Sequence, residues 1–176
     1  MDDSQDFSTR TFQSAESRVF EISRIPWATI HNFQQHERHT LEAGGVLLGR
    51  HLLDKSAIIV DQVTTPLPGD RRTRTSFYRS QKRHQKIIDQ VWQASNGTCT
   101  YLGEWHTHPE PVPMPSMVDW RGWLKRLATD QFTEPLFFVI VGTQHTCVWE
   151  GTRNGVITPL QSSAKNRCYD QTTTNT

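Results

Sequence analysis

The sequence predicts a single α/β domain, of the mixed α+β kind, in which about three helices flank one mixed β-sheet. The chain has 176 residues, which is the length of one domain and enough to bury a self-standing core. Short runs of β-branched or alternating residues predict strands, and three longer segments repeat apolar residues at helical spacing. Because the two patterns interleave along the chain, helices packed on one sheet are favoured.

In the first half of the chain, alternation of apolar and polar residues predicts a half-buried strand, followed by a helix. Pro26 suits the first turn of that helix, and Trp27, Ile30 and Phe33 recur on one helical face. Two β-branched runs then predict strands, and a segment rich in Pro and Gly predicts a loop. The predicted elements are a strand at 18–25, a helix at 26–40, strands at 46–48 and 57–63, and a loop at 64–75.

The second half begins with an amphipathic helix that ends at the turn formed by Asn96 and Gly97. The proline-rich segment 109–115 is predicted to be neither helix nor central strand, since proline fixes φ and lacks a donor. The predicted elements are helices at 77–94 and 116–129 and strands at 100–106, 136–141, 146–149 and 156–160. The folded domain is thereby predicted at 18–160, between polar tails at 1–17 and 161–176.

The charge balance bears on possible partners. The chain has 19 basic and 18 acidic residues, and this near-neutrality argues against a general nucleic-acid binder and against a polybasic membrane-surface protein. The sequence shows neither an apolar run of membrane-spanning length nor an apolar leader, so a cytoplasmic protein is expected. The three cysteines form no CxxC pair, which excludes a cysteine-rich zinc finger. We expect a monomer.

The segment 103–119 contains the residues best suited to chemistry. His106 and His108 lie two apart in a predicted strand, so both rings point to the same face. Ser116 and Asp119 lie three apart at a predicted helix start, which also places them on one face. Two histidines and one carboxylate can converge there as three metal ligands with a fourth position open, as in catalytic zinc sites.

Each of these segments has an alternative interpretation. Ser116 and Asp119 also fit a capping box, which is compatible with metal binding by the aspartate. The HERH sequence at 36–39 is not a zincin motif, because H-E-x-x-H needs histidine where the chain has Thr40. A zinc deaminase would show H-x-E followed by P-C-x-x-C, which the sequence lacks. Cys99 is interpreted as a core residue rather than a nucleophile.

A second motif precedes the first. Residues 42–49 read E-x-x-G-x-L-x-G, and the later segment reads H-x-H, seven residues, S, two residues, D. Together they resemble the JAMM motif of the JAB/MPN metalloprotease family, over about residues 20–150. The resemblance implies an MPN/JAB-type domain with a cytidine-deaminase-like core and one Zn²⁺ per chain. It further implies His106, His108 and Asp119 as metal ligands, Glu42 as general base and Ser116 as the residue that hydrogen-bonds the oxyanion.

Two segments are similar to one subgroup of this family. Residues 66–74 and 103–110 resemble small bacterial members from type II CBASS antiphage operons, which accompany E1/E2-like conjugating proteins and a CD-NTase-type synthase. The resemblance implies a deubiquitinase-like isopeptidase that cuts the bond after the C-terminal residue of the conjugated synthase. Its substrate would be a protein with a flexible C-terminal tail.

Two further functions remain open: a protease that processes or deconjugates a bacterial ubiquitin-like protein, and a non-catalytic MPN scaffold. Scaffold members typically lack some metal-site residues, whereas every motif position is filled here. A basic run is a possible contact for an acidic stretch of the substrate, with a solvated loop and helix start as the alternative. The run comprises Arg71, Arg72, Arg74, Arg79, Lys82 and Arg83. Its candidate residues are Arg71, Arg72 and Arg74.

Overall fold

A computed structural model describes residues 9–54 and 57–163 of the chain. The helices are α1 (Arg24–His31), α2 (Gln81–Ala94) and α3 (Met117–Thr129). The first six strands are β1 (Arg10–Gln13), β2 (Val19–Ile22), β3 (Gly44–His51), β4 (Ala57–Val63), β5 (Arg71–Arg72) and β6 (Phe77–Tyr78). The later strands are β7 (Thr100–Thr107), β8 (Leu136–Val141), β9 (Thr146–Gly151), β10 (Ile157–Pro159) and β11 (Gln161–Ser162).

Nine of these strands form one sheet in the order β10-β9-β8-β7-β3-β4-β2-β1-β11, and β5 pairs with β6 in a separate hairpin. The pairs β2–β4 and β7–β8 are parallel, whereas the other neighbours in the sheet are antiparallel. The predicted fold class, a mixed sheet flanked by three helices, is therefore confirmed.

Apolar side chains cover both faces of the central strands. On one face Ile30 of α1 is buried in a cluster with Phe20 and Trp105. On the other face Trp123 of α3 stacks on Phe138, and α2 packs against the same cluster. Burial of apolar surface on both sides holds the three layers together. The central strands β3, β7 and β8 are consequently buried along most of their length.

A bulge in β7 decides which face its later residues occupy. The register between β3 and β7 shifts where Leu47 pairs with Gly103 and Leu48 with Tyr101, so Leu102 is the extra residue. Gly103 has a φ of +143°, and an added Cβ would meet the carbonyl oxygen of Phe137. Because of the bulge, Leu102 and Trp105 share one core although they lie three residues apart. His106 is thereby directed to the face of α3.

Two helix predictions have wrong boundaries. The helix predicted at 26–40 ends at His31, because the side chains of Gln34 and Gln35 bond to distant backbone carbonyls instead of continuing a helical surface. The helix predicted at 77–94 begins at Gln81, because Phe77 and Tyr78 pair as β6 with a strand inside the predicted loop 64–75. A two-residue strand is too short for periodicity to reveal.

The structure also places strands within both predicted tails. Strand β1 lies inside the segment 1–17 and β11 lies inside the segment 161–176, and these two strands pair at the edge of the sheet. Phe12 is buried in the core beside Trp27, which explains why this polar segment is held. The rest of the predicted tails, 1–8 and 164–176, lies outside the described residues. Among the described residues, no helix is long and apolar enough to span a bilayer.

The bulge gives a stability prediction. Replacing Gly103 with Ala forces a side chain into a left-handed backbone and against Phe137, so we expect the free energy of unfolding to fall by about 3 kcal/mol or more. Gly122→Ala is the control, because nothing lies within 4 Å of its added Cβ and alanine favours a helix. Urea unfolding that shows equal effects for the two variants would contradict this assignment of the bulge.

Candidate metal centre

The antiparallel register of β3 and β7 brings the two halves of the motif together. Gly44 pairs with His106, so Glu42, two residues before Gly44, lies opposite His108, two residues after His106. Two hydrogen bonds continue this pairing beyond the strand ends. The Thr107 amide donates to the Ala43 carbonyl at 2.8 Å, and the Ala43 amide donates to Thr107 Oγ1 at 3.0 Å.

Three donor groups converge at this point. The Nε2 atoms of His106 and His108 lie 3.0 Å apart. His106 Nε2 lies 3.2 Å from Asp119 Oδ1, and His108 Nε2 lies 3.5 Å from Asp119 Oδ2. Ligand atoms around a tetrahedral Zn²⁺ with bonds of about 2.0–2.1 Å are about 3.3 Å apart. The spacing of these side chains therefore fits one such ion.

The capping box of α3 orients the aspartate. Both the backbone N–H and the hydroxyl of Ser116 donate to Asp119 Oδ2 at 2.6 Å, and the Asp119 amide donates back to Ser116 Oγ at 3.3 Å. These bonds fix the carboxylate and leave Oδ1 toward His106. The capping interpretation of this pair is thus observed, and it coexists with an aspartate held beside both histidines.

The two carboxylates at the site have pKa values that are shifted in opposite directions. Burial would raise the pKa of Asp119, but hydrogen bonds from His106 and His108 outweigh it and hold that pKa well below its usual range. Burial would lower the pKa of His108, yet its bond to Asp119 raises it. Glu42 is 4% exposed, and burial raises its pKa to about 7. Asp119 is therefore ionised, whereas Glu42 can gain or lose a proton near neutral pH.

Glu42 is also close enough to the histidines to be a ligand, since one ligand atom of each of the three lies within 4.8 Å of the others. We favour Asp119 as the third ligand because its oxygens lie 3.2 and 3.5 Å from the two histidine Nε2 atoms and because it is ionised.

Sequence reasoning missed Glu110. Its Oε2 lies 3.5 Å from His108 Nδ1, and that buried nitrogen has no hydrogen-bond partner among the described residues. Carboxylates beside the second nitrogen of a ligand histidine commonly fix its tautomer. The sequence His108-Pro109-Glu110, which places a carboxylate two residues after a predicted ligand, could have indicated this role of Glu110. The Glu110 carbonyl also accepts from the Thr143 amide at 2.8 Å, which anchors the proline-rich segment.

A cleft of about 510 Å³ opens on these groups. Glu104, which faces it from β7, binds Arg79 Nε at 2.6 Å and lies 3.2 Å from Arg126 Nε. Trp105 is buried and donates to the Thr64 carbonyl at 2.9 Å, so it supports the core beneath the cleft. Other side chains that line the cleft are Phe77, Tyr78, Val118 and Trp123.

Arg71, Arg72 and Arg74 lie outside the residues that line this cleft, whereas Arg79 of the same basic run lines it. Arg72 Nε and Nη2 donate to the carbonyls of Glu42 and Leu41, and Arg74 Nη1 donates to the Glu37 carbonyl at 2.9 Å. The Arg71 guanidinium lies over the Tyr78 ring, 5.4 Å from its centroid. Two of the three candidate substrate contacts are therefore bonded to the chain's own backbone.

The interpretation of Cys99 as a core residue agrees with the structure. Its thiol is 8% exposed, lies in the cluster beneath α2 and α3, and has a pKa raised by burial. A buried thiol of this kind is a poor nucleophile.

Fold and site together define a class: an α/β domain in which two histidines and two carboxylates form a candidate metal site that opens to a cleft. Comparison with known proteins gives the family. Residues 28–152 match the family described as prokaryotic homologs of the JAB domain, and the chain belongs to that family. The resemblance seen in the motifs is confirmed.

Three relatives carry the name "CD-NTase/cGAS isopeptidase". One from Escherichia coli is 32% identical over 72% of this chain and 78% of its own length. One from Pseudomonas aeruginosa is 38% identical over 65% and 73%, and one from Vibrio cholerae is 35% identical over 63% and 68%. The solution structure of protein DSY2949 from Desulfitobacterium hafniense has the same fold, with a TM-score of 0.54 at 18% identity over 78% of this chain and 87% of that one.

The raised pKa of Glu42 predicts a pH-dependent stability in the metal-free protein. The folded state keeps its proton up to about pH 7, whereas the unfolded chain loses it near pH 4.5, so folding is favoured at low pH and that contribution is lost as pH rises through 7. The Glu42→Gln variant cannot ionise at this position, so it avoids burying a negative charge at high pH. We expect it to be more stable than wild type by on the order of 2–3 kcal/mol at about pH 8.

The measurement is urea unfolding of chelator-treated protein at about pH 5 and about pH 8. Glu37→Gln, a change at an exposed position, is the control. A stability difference between Glu42→Gln and wild type that is constant across this pH range would show that Glu42 is not buried as a neutral acid.

Proposed function

We propose that this protein is a zinc-dependent isopeptidase that removes a CD-NTase-type synthase from its conjugated target in antiphage defence. The observation that carries the proposal is the convergence of His106, His108 and Asp119 beside a buried Glu42, facing an open cleft. The names of three relatives support the isopeptidase activity and the synthase as substrate.

Zinc fits the donor set in this proposal. Two imidazole nitrogens and one carboxylate oxygen are ligands that Zn²⁺ prefers, and His106, His108 and Asp119 would hold it. A bound Zn²⁺ lowers the pKa of a coordinated water to about 7 and polarises a carbonyl oxygen. The relative from Sinorhizobium fredii named "Probable metalloprotease y4qB", 34% identical over 71 residues, supports a metal-dependent protease.

Glu42 would carry protons during hydrolysis. Its buried carboxylate has a pKa of about 7, which suits a group that accepts a proton from water and later donates it to the leaving amine. Binding of a cation beside it would favour its ionised form and so prepare it as the base. Loss of such a group typically lowers the rate by about 10²–10⁴.

Ser116 is proposed to hydrogen-bond the oxyanion that develops on the scissile carbonyl. In the structure its hydroxyl donates to Asp119 Oδ2, so this role requires the O–H to rotate toward the substrate. The backbone N–H of Ser116 would keep Asp119 in place during that rotation. Removal of one oxyanion donor typically costs about 10²–10³ in rate.

The proposed substrate is the flexible C-terminal tail of the synthase joined to a target amine. An extended tail could lie along the cleft between Tyr78 and Val118. The proposed setting is the cytoplasm, where the protein acts as a monomer beside an E1/E2-like conjugating protein, with neither nucleic acid nor membrane as a partner. Processing of a ubiquitin-like protein is the second candidate, since the name "Probable metalloprotease y4qB" does not specify which protein is cleaved.

Two variants separate metal binding from proton transfer. Asp119→Ala should lose both bound zinc and hydrolysis, because it removes one of three ligands. Glu42→Gln should keep stoichiometric zinc and lose turnover by about 10²–10⁴. Zinc analysis and single-turnover kinetics measure the two effects. Wild-type turnover in a zinc-free preparation with chelator present would contradict the metal-dependent mechanism, and zinc binding without any hydrolysis would favour a scaffold.

Substrate choice has its own test. We expect faster release of a C-terminally extended CD-NTase-type synthase than of a ubiquitin-like protein carrying the same extension, at equal concentrations. Gel-based cleavage with Glu42→Gln as the blank measures the ratio. Preference for the ubiquitin-like fusion would replace the antiphage proposal with the processing function.

A further inference from the structure

Arg72 holds the backbone of the residue proposed as the general base. Its Nε donates to the Glu42 carbonyl at 2.7 Å and its Nη2 donates to the Leu41 carbonyl at 3.1 Å. The Glu42 amide in turn donates to the Thr73 carbonyl at 2.7 Å. Both backbone polar groups of Glu42 are thus bonded to one short segment that comprises β5 and the residue after it.

We propose that Arg72 is a positioning residue, which fixes the Glu42 carboxylate against the metal centre without touching substrate. The hydrogen bonds from Arg72 to the carbonyls of Leu41 and Glu42 are called the clamp below. The inference rests on the proposed function, because it assigns a catalytic purpose to this clamp. For Arg72 it replaces the expectation of a contact with an acidic stretch of the substrate.

The need for a clamp follows from the position of Glu42. It lies two residues before β3 begins, so the ladder of the sheet does not hold it. The preceding residues 32–41 are irregular, and two further side chains hold their backbone. Gln35 Nε2 donates to the carbonyls of Thr40 and Arg74 at 3.0 and 2.8 Å, and Arg74 holds the Glu37 carbonyl. Without these bonds Glu42 would be held from its C-terminal side alone, through the two hydrogen bonds between Ala43 and Thr107.

Arginine is suited to this role in a way that lysine is not. A planar guanidinium presents several N–H groups in a fixed fork, so it can bridge two successive carbonyls while its charge strengthens both bonds. An ammonium group is a point charge on a flexible stem and would hold one carbonyl at most in a defined geometry. The position therefore requires the shape of the side chain as well as its charge.

The two roles of Arg72 predict different kinetics. A substrate contact would raise KM when removed, and the neighbouring Arg71 would behave in the same way. A positioning residue would lower kcat at nearly constant KM, because displacement of a catalytic group by about 1 Å can cost up to about 10²-fold. The ligands His106, His108 and Asp119 belong to other segments, so bound zinc should be unaffected.

The first experiment compares the zinc-loaded variants Arg72→Lys and Arg72→Gln with wild type on a cleavable synthase extension. We expect kcat to fall about 10- to 100-fold in both, with KM within about twofold and zinc stoichiometry unchanged. Arg38→Gln is the matched control, since Arg38 is exposed, precedes Glu42 by a few residues and carries the same charge. Arg72→Ala should recover part of its kcat on addition of millimolar guanidinium but not methylammonium.

A second measurement is independent of activity. In metal-free protein, hydrogen exchange at the amides of Glu42 and Ala43 should be faster in Arg72→Gln than in wild type, whereas exchange in β8 should not change. This pattern would show that Arg72 restrains the segment before β3 locally, rather than through global stability.

The outcomes are distinguishable. If wild type is active and both Arg72 variants keep its kcat, the positioning role is overturned and the proposed function stays intact. The same holds if the variants only raise KM. Loss of zinc in parallel with activity also overturns it, since Arg72 would then act on the ligands. Wild type that is inactive with zinc overturns the proposed function, and the catalytic meaning of the clamp with it.

Discussion

The hydrogen-bonded register between β3 and β7 is the constraint on which the site depends. It pairs Gly44 with His106 and so places Glu42 opposite His108, although the two lie far apart in sequence. A shift of one residue would send these side chains to opposite faces of the sheet. The bulge at Gly103 and the bonds between Ala43 and Thr107 both fix this register close to the site.

The chemically important side chains lie just beyond the ends of regular elements. Glu42 precedes a strand, His108 follows one, and Asp119 lies in the first turn of a helix. Such positions leave backbone groups without ladder partners, and side chains supply the missing bonds. Arg72 does so for Glu42, and Ser116 does so for α3. Side-chain hydrogen bonds therefore hold the parts of the site that lie outside the sheet, and the site stays open to a cleft.

Much of the fold could be predicted from local patterns. Apolar β-branched runs such as 136–141 are buried on both sides, and their assignment as strands needed no tertiary information. The early end of α1 at His31 could not be predicted, since it depends on bonds from Gln34 and Gln35 to distant carbonyls. Strand β1 could not be predicted because the segment 1–17 is polar in composition, as disordered tails are. The burial of Phe12 in the core, a long-range contact, decides its structure.

The residues of the site were predicted from motif spacing, but their roles remain predictions and their supports were not visible in the sequence. Period-two alternation places His106 on the face of Leu102, whereas the bulge reverses that relation. The basic run gave a charge pattern only, and the bonds of Arg72 to backbone carbonyls depend on how two distant loops meet. Motifs therefore indicate chemistry, while the geometry that supports it comes from long-range contacts.

The most direct test of the account is the position of the metal in zinc-loaded crystals of the intact chain. Anomalous diffraction at the zinc absorption edge should show one ion bonded to His106, His108 and Asp119, with the Glu42 carboxylate nearby but outside bonding distance. An ion bonded to Glu42 in place of Asp119, or zinc bound elsewhere on the chain, would contradict the assignment of one carboxylate to the metal and the other to proton transfer.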